Sequence, residues 1–212
     1  MLFNEIKNVL VLAPHTDDGE LGMGGTIHKL LQAGKNVTYV AFSTASKSLP
    51  AGLPPDTLKN EVQHATYTLG ILPENLIIYD YEVRELNYVR QQILERLIEL
   101  RKIIQPDIVF IPSTHDVHQD HQTIAQEAIR AFKNTTLLGY ELIWNNLTFN
   151  TQCFVELSEE NLAAKQRALA KYASQKGRPY MSDTFIRSLA VTRGVQAGIP
   201  LAEVFEVTRL FL

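Results

Sequence analysis

One cysteine, Cys153, stands among 212 residues, so the chain can form no internal disulfide and no cysteine-rich zinc site. Its expected role is that of a small apolar filler in a strand. A basic block is missing as well: 20 lysines and arginines and 23 acidic residues are spread along the chain, for a formal charge of −3. That balance speaks against a nucleic-acid partner. Long apolar runs are absent too, with none near the ~18 residues of a membrane span. The opening MLFNEIKNVLVLAPH lacks the basic start, longer apolar stretch and small-residue cleavage site of a secretory signal. These absences lead to the expectation of a cytoplasmic protein without stable membrane insertion. Repeats, low-complexity tracts and linkers are lacking, and one domain over residues 1–212 is expected.

What is present is an alternation of apolar runs and helix-period segments. Strands are expected at 8–14, 36–43, 75–80 and 107–113, and helices at 24–34, 56–70 and 87–104. Gly34 and Gly70 read as left-handed helix stops and Asp56 as an N-cap, while Pro106 follows the third helix. After about residue 135 the pattern changes to strands at 136–144 and 151–158, helices near 159–173 and 184–197, and a last strand at 203–212. The expected fold is α/β and Rossmann-like, a mostly parallel sheet with helices on both faces and a C-terminal extension completing it. Ligands in such sheets sit beyond the carboxyl ends of the strands. The loop at 49–56 is long enough to rim a site there.

Two of these strands end in polar clusters. The first delivers His15, Asp17 and Asp18; the fourth delivers His115, His118, Asp120 and His121. Imidazole and carboxylate are the ligands zinc accepts when thiolate is unavailable, and such a set favours an open, catalytic centre. Each residue also has a plainer role. Asp17 and Asp18 suit a helix start, Asp120 suits the cap of the helix that follows it, and His28 and His64 are ordinary helix residues. The coincidence of two such clusters at neighbouring strand ends favours the metal. Gly19, Gly22, Gly24 and Gly25 do not form a dinucleotide fingerprint: their order is wrong, the second strand ends without an acid, and Asp17 and Asp18 would repel a pyrophosphate. Gly22, Gly24 and Gly25 are expected to make a tight turn and close helix–sheet packing.

"PHTDDGELGMGG" and "HQDH" together resemble the motifs of the zinc-dependent N-acetylglucosaminyl-phosphatidylinositol de-N-acetylases and their bacterial relatives, the PIG-L or LmbE-like family. Further matches are Glu61, Ala65, Leu69 and Gly70, the stretch PDIVF at 106–110, and the stretch from Arg193 to Glu206. The resemblance implies one Zn²⁺ per chain, or another divalent ion, on His15, Asp18 and His121. It implies Asp17 as general base and His118, as a cation, stabilising the oxyanion. The implied activity is hydrolysis of the acetyl amide of an N-acetylated amino sugar or its conjugate. A metal-dependent phosphoesterase and a non-catalytic sugar- or nucleotide-binding module are the competing readings, and one metal ion against two separates the first pair. Three departures stand out. Thr16 replaces a usual proline and is expected to loosen the turn. Lys59 is the nearest basic residue to a family arginine before the Glu61 position. Asp116 stands where one branch has a tyrosine. Arg84 and Lys59 are the candidate contacts to a phosphate or sugar hydroxyl, and Trp144 and Asn145 are candidate rim residues, with core packing the favoured role for Trp144. A dinucleotide or other organic cofactor is not expected. The small-molecule partner is an N-acetyl sugar of unspecified attachment, and homo-oligomerisation stays open.

Overall fold

The structure, a computed structural model, describes residues 5–211. Met1 to Asn4, at the start of the segment read for a leader, and Leu212, the end of the last expected strand, lie outside the described residues. Seven strands form one sheet: β1 (Asn8–Ala13), β2 (Asn36–Ala41), β3 (Leu76–Ile78), β4 (Ile108–Pro112), β5 (Thr136–Tyr140), β6 (Cys153–Glu156) and β7 (Ala202–Arg209). Their order is β3-β2-β1-β4-β5-β7-β6. The first five run parallel; β7 is antiparallel to both β5 and β6, which is the expected C-terminal extension.

Among the described residues six α-helices cover the sheet: α1 (Asp18–Gln32), α2 (Thr57–Leu69), α3 (Arg90–Ile104), α4 (Gln119–Ala131), α5 (Glu159–Leu169) and α6 (Asp183–Ala197). Strand alternation sorts the core into two layers. Val9, Val11 and Ala13 pack with Tyr39 and Phe110 beneath α1, α2, α5 and α6. Leu10 and Leu12 turn the other way, with Val109 and Ile111, onto α3 and α4. Burial on both faces explains why β1 and β4 read as unbroken apolar runs. Each such buried aliphatic side chain contributes roughly 1.5–3 kcal/mol relative to exposure.

The order of strands makes the site. From β1 the chain winds outward to β2 and β3, then returns on the other side of β1 as β4. The loops after β1 and β4 therefore diverge, leaving a crevice at their carboxyl ends.

Several boundaries differ from expectation, most of all at α1. It begins at Asp18 rather than at residue 24, and the glycines lie inside it instead of forming a turn. Glycine disfavours helix by about 1 kcal/mol each, which is why the run reads as a breaker. Packing overrides that preference. A Cβ on Gly19 would fall 2.5 Å from the Tyr39 ring, and Gly22 leaves the same room for Tyr140. The helix kinks at Met23 (φ −150°, ψ 25°), and Glu203 of β7 accepts the N–H groups of Gly25 (3.1 Å) and Thr26 (2.6 Å) just beyond it. Gly34 and Gly70 do adopt left-handed φ of 73° and 102°. Asp56 occupies the N-cap of α2 without a capping hydrogen bond. Strand 136–144 stops at Tyr140 because Leu142–Asn146 turns into the site, where the Asn146 side chain accepts the Leu142 N–H at 2.8 Å. Cys153 sits partly buried in β6 against the core, as expected.

Candidate active site

The loop leaving β1 is pinned from beneath. The carbonyl of Thr16 accepts the hydroxyls of Tyr39 (2.9 Å) and Tyr172 (2.7 Å), so the turn is clamped rather than loosened by the threonine. Both tyrosines also touch the buried Glu20. Burial outweighs those hydrogen bonds and pushes Glu20 up to about 8, so at neutral pH this acid keeps its proton and can donate a hydrogen bond to the Tyr39 hydroxyl oxygen. Above this clamp Asp17 takes the N-cap position of α1 but caps nothing with its side chain, which leaves the carboxylate free to face the crevice. Asp18 turns back to accept the His15 N–H at 2.8 Å.

The loop leaving β4 is built on Asp116. Its carboxylate accepts the His118 N–H (2.8 Å) with Oδ1 and holds Nδ1 of His121 (2.7 Å) with Oδ2. His118, not Asp120, caps α4: its Nδ1 accepts the Asp120 N–H at 3.2 Å. The carboxylate of Asp120 is thereby freed from the capping role expected of it. It meets Nε2 of His15 at 2.9 Å and accepts the N–H groups of Arg84 (2.6 Å) and Leu86 (3.3 Å).

Where the loops meet, three donor atoms converge. Nδ1 of His15 lies 3.2 Å from Oδ2 of Asp18 and 3.2 Å from Nε2 of His121, and the last two are 3.3 Å apart. A tetrahedron with bonds of about 2.0–2.1 Å has edges of about 3.3–3.4 Å, so the triangle is one face of such a site. Each imidazole is backed by a carboxylate on its far nitrogen, Asp120 behind His15 and Asp116 behind His121. This arrangement orients metal-binding histidines and raises their basicity. The donor set fits a divalent metal. His118 also comes within reach: donor atoms of His15, His118 and His121 all lie within 4.8 Å of one another.

The electrostatics follow from this crowding. Burial opposes charge on His15 and His121, but Asp18 and the backing carboxylates outweigh it, lifting the two to about 9 and about 10 in the metal-free chain. Asp18 is held well below the usual range, since the two histidines overcome its burial. Asp17 goes the other way, pushed up to about 6 by burial and by Asp18, against the pull of His15. His118 is pushed down to about 4 by burial and by His121 and His15. With Nδ1 accepting a backbone N–H, its neutral ring carries the proton on Nε2. In the metal-free chain it is thus a neutral donor, where the resemblance implies a cation.

These groups floor a cleft of about 360 Å³ whose walls include Ala45, Ser48, Arg84, Trp144, Asn145, Gln175, Arg178 and Tyr180. Arg84, Trp144 and Asn145 thus stand where the sequence suggested, and Trp144 also packs against the core. Lys59 does not reach the cleft; it lies in a neighbouring depression with Thr44, Ser46, Asp56 and Asp80. From the segment after β2, Ala45 and Ser48 line the cleft rather than residues 49–56. His115, the fourth loop histidine, turns away to Glu206 at 2.8 Å. Gln175, Arg178 and Tyr180 were not anticipated: they arrive from a loop in which no periodicity marks a site. The signal that existed was Glu61, buried in α2, which accepts both the N–H (2.9 Å) and the hydroxyl (2.6 Å) of Ser174 and so ties that loop to the cleft.

Comparison with known proteins agrees with this geometry. Residues 10–132, more than half of the chain, match the family model described as PIG-L, GlcNAc-PI de-N-acetylase. The diacetylchitobiose deacetylase of Thermococcus kodakarensis is 27% identical over 95% of this chain and 83% of its own length. Among solved structures, the N,N′-diacetylchitobiose deacetylase of Pyrococcus horikoshii superposes with a TM-score of 0.77 at 24% identity, covering 97% of this chain and 85% of that one. GalB, the 4-carboxy-2-hydroxymuconate hydratase of Pseudomonas putida KT2440, does so with 0.79 at 18% identity, covering 98% of each. The same fold therefore carries more than one chemistry, and the reaction has to be argued from the site.

Proposed function

The chain belongs to the PIG-L family of GlcNAc-PI de-N-acetylases, and from that premise we propose that it is a zinc-dependent N-deacetylase acting on an N-acetylated amino sugar. One observation carries the reading: the triangle of His15, Asp18 and His121 donors, each imidazole backed by a carboxylate, with an uncommitted carboxylate and a neutral imidazole beside it.

His15, Asp18 and His121 would hold one Zn²⁺. When bound, the ion supplies Lewis acidity, lowering the pKa of water towards about 7 and polarising the amide carbonyl. Asp17 takes the proton of the water whose oxygen attacks the acetyl carbon. His118 donates Nε2–H to the oxyanion as it forms, a neutral donor that needs no proton transfer of its own. The C–N bond then breaks, Asp17 returns its proton to the leaving amine, and acetate and the free amino sugar result. The adjacent carboxylates thus do different work, because Asp17 ends its strand loop facing the cleft and Asp18 begins a helix facing His15. No helix among the described residues is long and apolar enough to cross a membrane, and the reading places the enzyme in the cytoplasm.

The test is acetate release from a panel of N-acetyl sugars, nucleotide sugars and lipid-linked sugars, with metal content measured on the same samples. The reading expects one divalent ion per chain, loss of activity on chelation and recovery with zinc. Two ions, with hydrolysis of phosphoesters and none of amides, would replace it by the phosphoesterase.

A further inference from the structure

The floor of the cleft is crowded with carboxylates and imidazoles, yet its mouth is basic. Outside the metal cluster and Asp17, the charged residues lining it are Arg84 and Arg178, both with exposed side chains. Elsewhere the contacting arginines mostly meet carboxylates: Arg90 and Arg130 bond Glu127, Arg187 bonds Glu159, and Arg193 bonds Glu141. Arg84 and Arg178 bond neutral oxygens instead. Nη2 of Arg84 donates to the Ser48 hydroxyl at 3.1 Å, and Nη1 of Arg178 donates to the Tyr180 hydroxyl at 2.6 Å. A guanidinium carries five N–H donors in a planar fork, so most of each fork is left for an anion.

Both groups are also held in place. Arg84 adopts a left-handed φ of 70°, and Ala45, across the same cleft, a φ of 50°. Only three non-glycine residues among those described have positive φ, and two of them are here. Such strain persists where the surroundings enforce it, often at ligand clamps. What enforces it at Arg84 is Asp120, which accepts its N–H while orienting His15. Arg178 is anchored differently. Its partner Tyr180 stacks on Trp144, with ring centres 4.0 Å apart and planes inclined by 12°, so two separate loops brace one guanidinium.

We infer, on the N-deacetylase reading, that the mouth of the cleft is an anion subsite. The substrate is an N-acetylated amino sugar carrying a phosphate or carboxylate, gripped between Arg84 and Arg178 while the acetamide reaches the floor. A cleft of about 360 Å³ is near the lower end of small-molecule sites, roughly 300–1,000 Å³, and suits one sugar ring with its substituent.

The experiment compares N-acetylglucosamine 1-phosphate, N-acetylmuramic acid and the neutral methyl N-acetylglucosaminide on the zinc-loaded protein, by calorimetric binding and by acetate release. At least one charged probe should bind about tenfold or more tightly than the neutral one, as expected for hydrogen bonds to a charged group. Which of the two does so identifies phosphate or carboxylate as the natural anion. Arg84→Gln and Arg178→Gln should each shrink that ratio several-fold, in Kd and KM more than in kcat, and Arg178→Glu should erase it. Neutral and charged probes binding equally, or a ratio that survives all three substitutions in protein with wild-type melting, would overturn the inference. A charge preference without acetate release from any probe sinks the deacetylase reading and leaves the subsite standing. Acetate release without charge preference does the reverse.

Discussion

The floor and the mouth of the cleft are built on opposite principles. On the floor, His15, Asp18, Asp116, Asp120 and His121 stand at strand ends or in the first turn of a helix, are largely buried, and spend their polar atoms on one another. At the mouth, Arg84, Trp144, Arg178 and Tyr180 stand on loops, are exposed or half-buried, and keep most of their donors unspent. A site that must hold a metal to within tenths of an ångström draws on the rigid scaffold. A site that must recognise a substrate draws on loops. The difference implies that the floor sets the reaction and the mouth sets what undergoes it.

The largest effects should come from the donors themselves. His121→Ala and Asp18→Ala should abolish metal binding at one equivalent of zinc, with activity falling to background; elemental analysis and acetate release check both. A variant that kept its full metal would move the centre elsewhere.

Asp17→Asn should divide metal from turnover. It keeps the size of the side chain but cannot take a proton, so zinc should stay bound while kcat falls roughly 10²–10⁴-fold, the usual range for a general base. The pH profile carries a second check. Asp17 acts when ionised, and it is pushed up to about 6, so kcat/KM should fall as pH drops through about 6. That limb should vanish from the residual activity of the variant. The sign for stability is the reverse. A carboxylate raised above its ordinary 3.8 weighs against the fold once it ionises, so the metal-free variant should melt higher than wild type at pH 8. Below pH 4 the two should converge. Should Asp17→Asn lose zinc while Asp18→Asn keeps it, the two carboxylates have been assigned the wrong way round.

His118→Ala should retain zinc and lose about 10²–10³-fold in kcat if Nε2–H meets the oxyanion. Its cap on α4 would go as well, at roughly 1 kcal/mol, since the ring accepts the Asp120 N–H. Loss of metal here would make His118 a ligand in place of Asp18, the alternative that the 4.8 Å cluster of three histidines keeps in view.

How much of this could be read from sequence follows the same division. The parallel sheet and the meeting of the two polar loops were legible, because apolar period and strand order place C-terminal ends side by side. The backing carboxylates were not: Asp120 stands where a helix cap belongs and Asp116 where a relative has tyrosine, and only coordinates show each reaching an imidazole. Nor was the clamp of Tyr39, Tyr172 and Glu20 on Thr16, whose members lie up to 156 residues apart. The mouth was legible least. Arg84 could be suspected because it follows a strand, but Lys59 pointed to the wrong depression and Arg178 comes from a loop that sequence period cannot place.

Asp120 belongs to both regions, so Asp120→Asn should disturb both. It accepts from His15 and Arg84 with one oxygen and from Leu86 with the other, and an amide must turn an N–H towards one of them. Zinc affinity should fall about 10–100-fold, the usual effect of losing a partner behind a metal-binding histidine. Competition with a chelator would measure it.

The smallest effect, and the sharpest on the comparison, should follow from Glu61. It does not line the cleft; it accepts the N–H and hydroxyl of Ser174, next to Gln175 and four residues before Arg178. Gln at this position can still accept the N–H through its carbonyl, and the hydroxyl can reverse to accept from its amide, so Glu61→Gln should be nearly silent. Glu61→Ala removes both partners and leaves the loop tied by its neighbours alone. A hydrogen bond to a charged group is worth roughly 1.5–3 kcal/mol, part of which the loop recovers from solvent because it lies at the surface. The expected result is a rise in KM of a few-fold to tenfold, with zinc stoichiometry and kcat little changed. Kinetics and metal analysis on wild type, Gln and Ala side by side would measure it. A fall in kcat or in zinc, without a rise in KM, would mean that Glu61 supports the floor and that floor and mouth are not separable in the way their construction indicates.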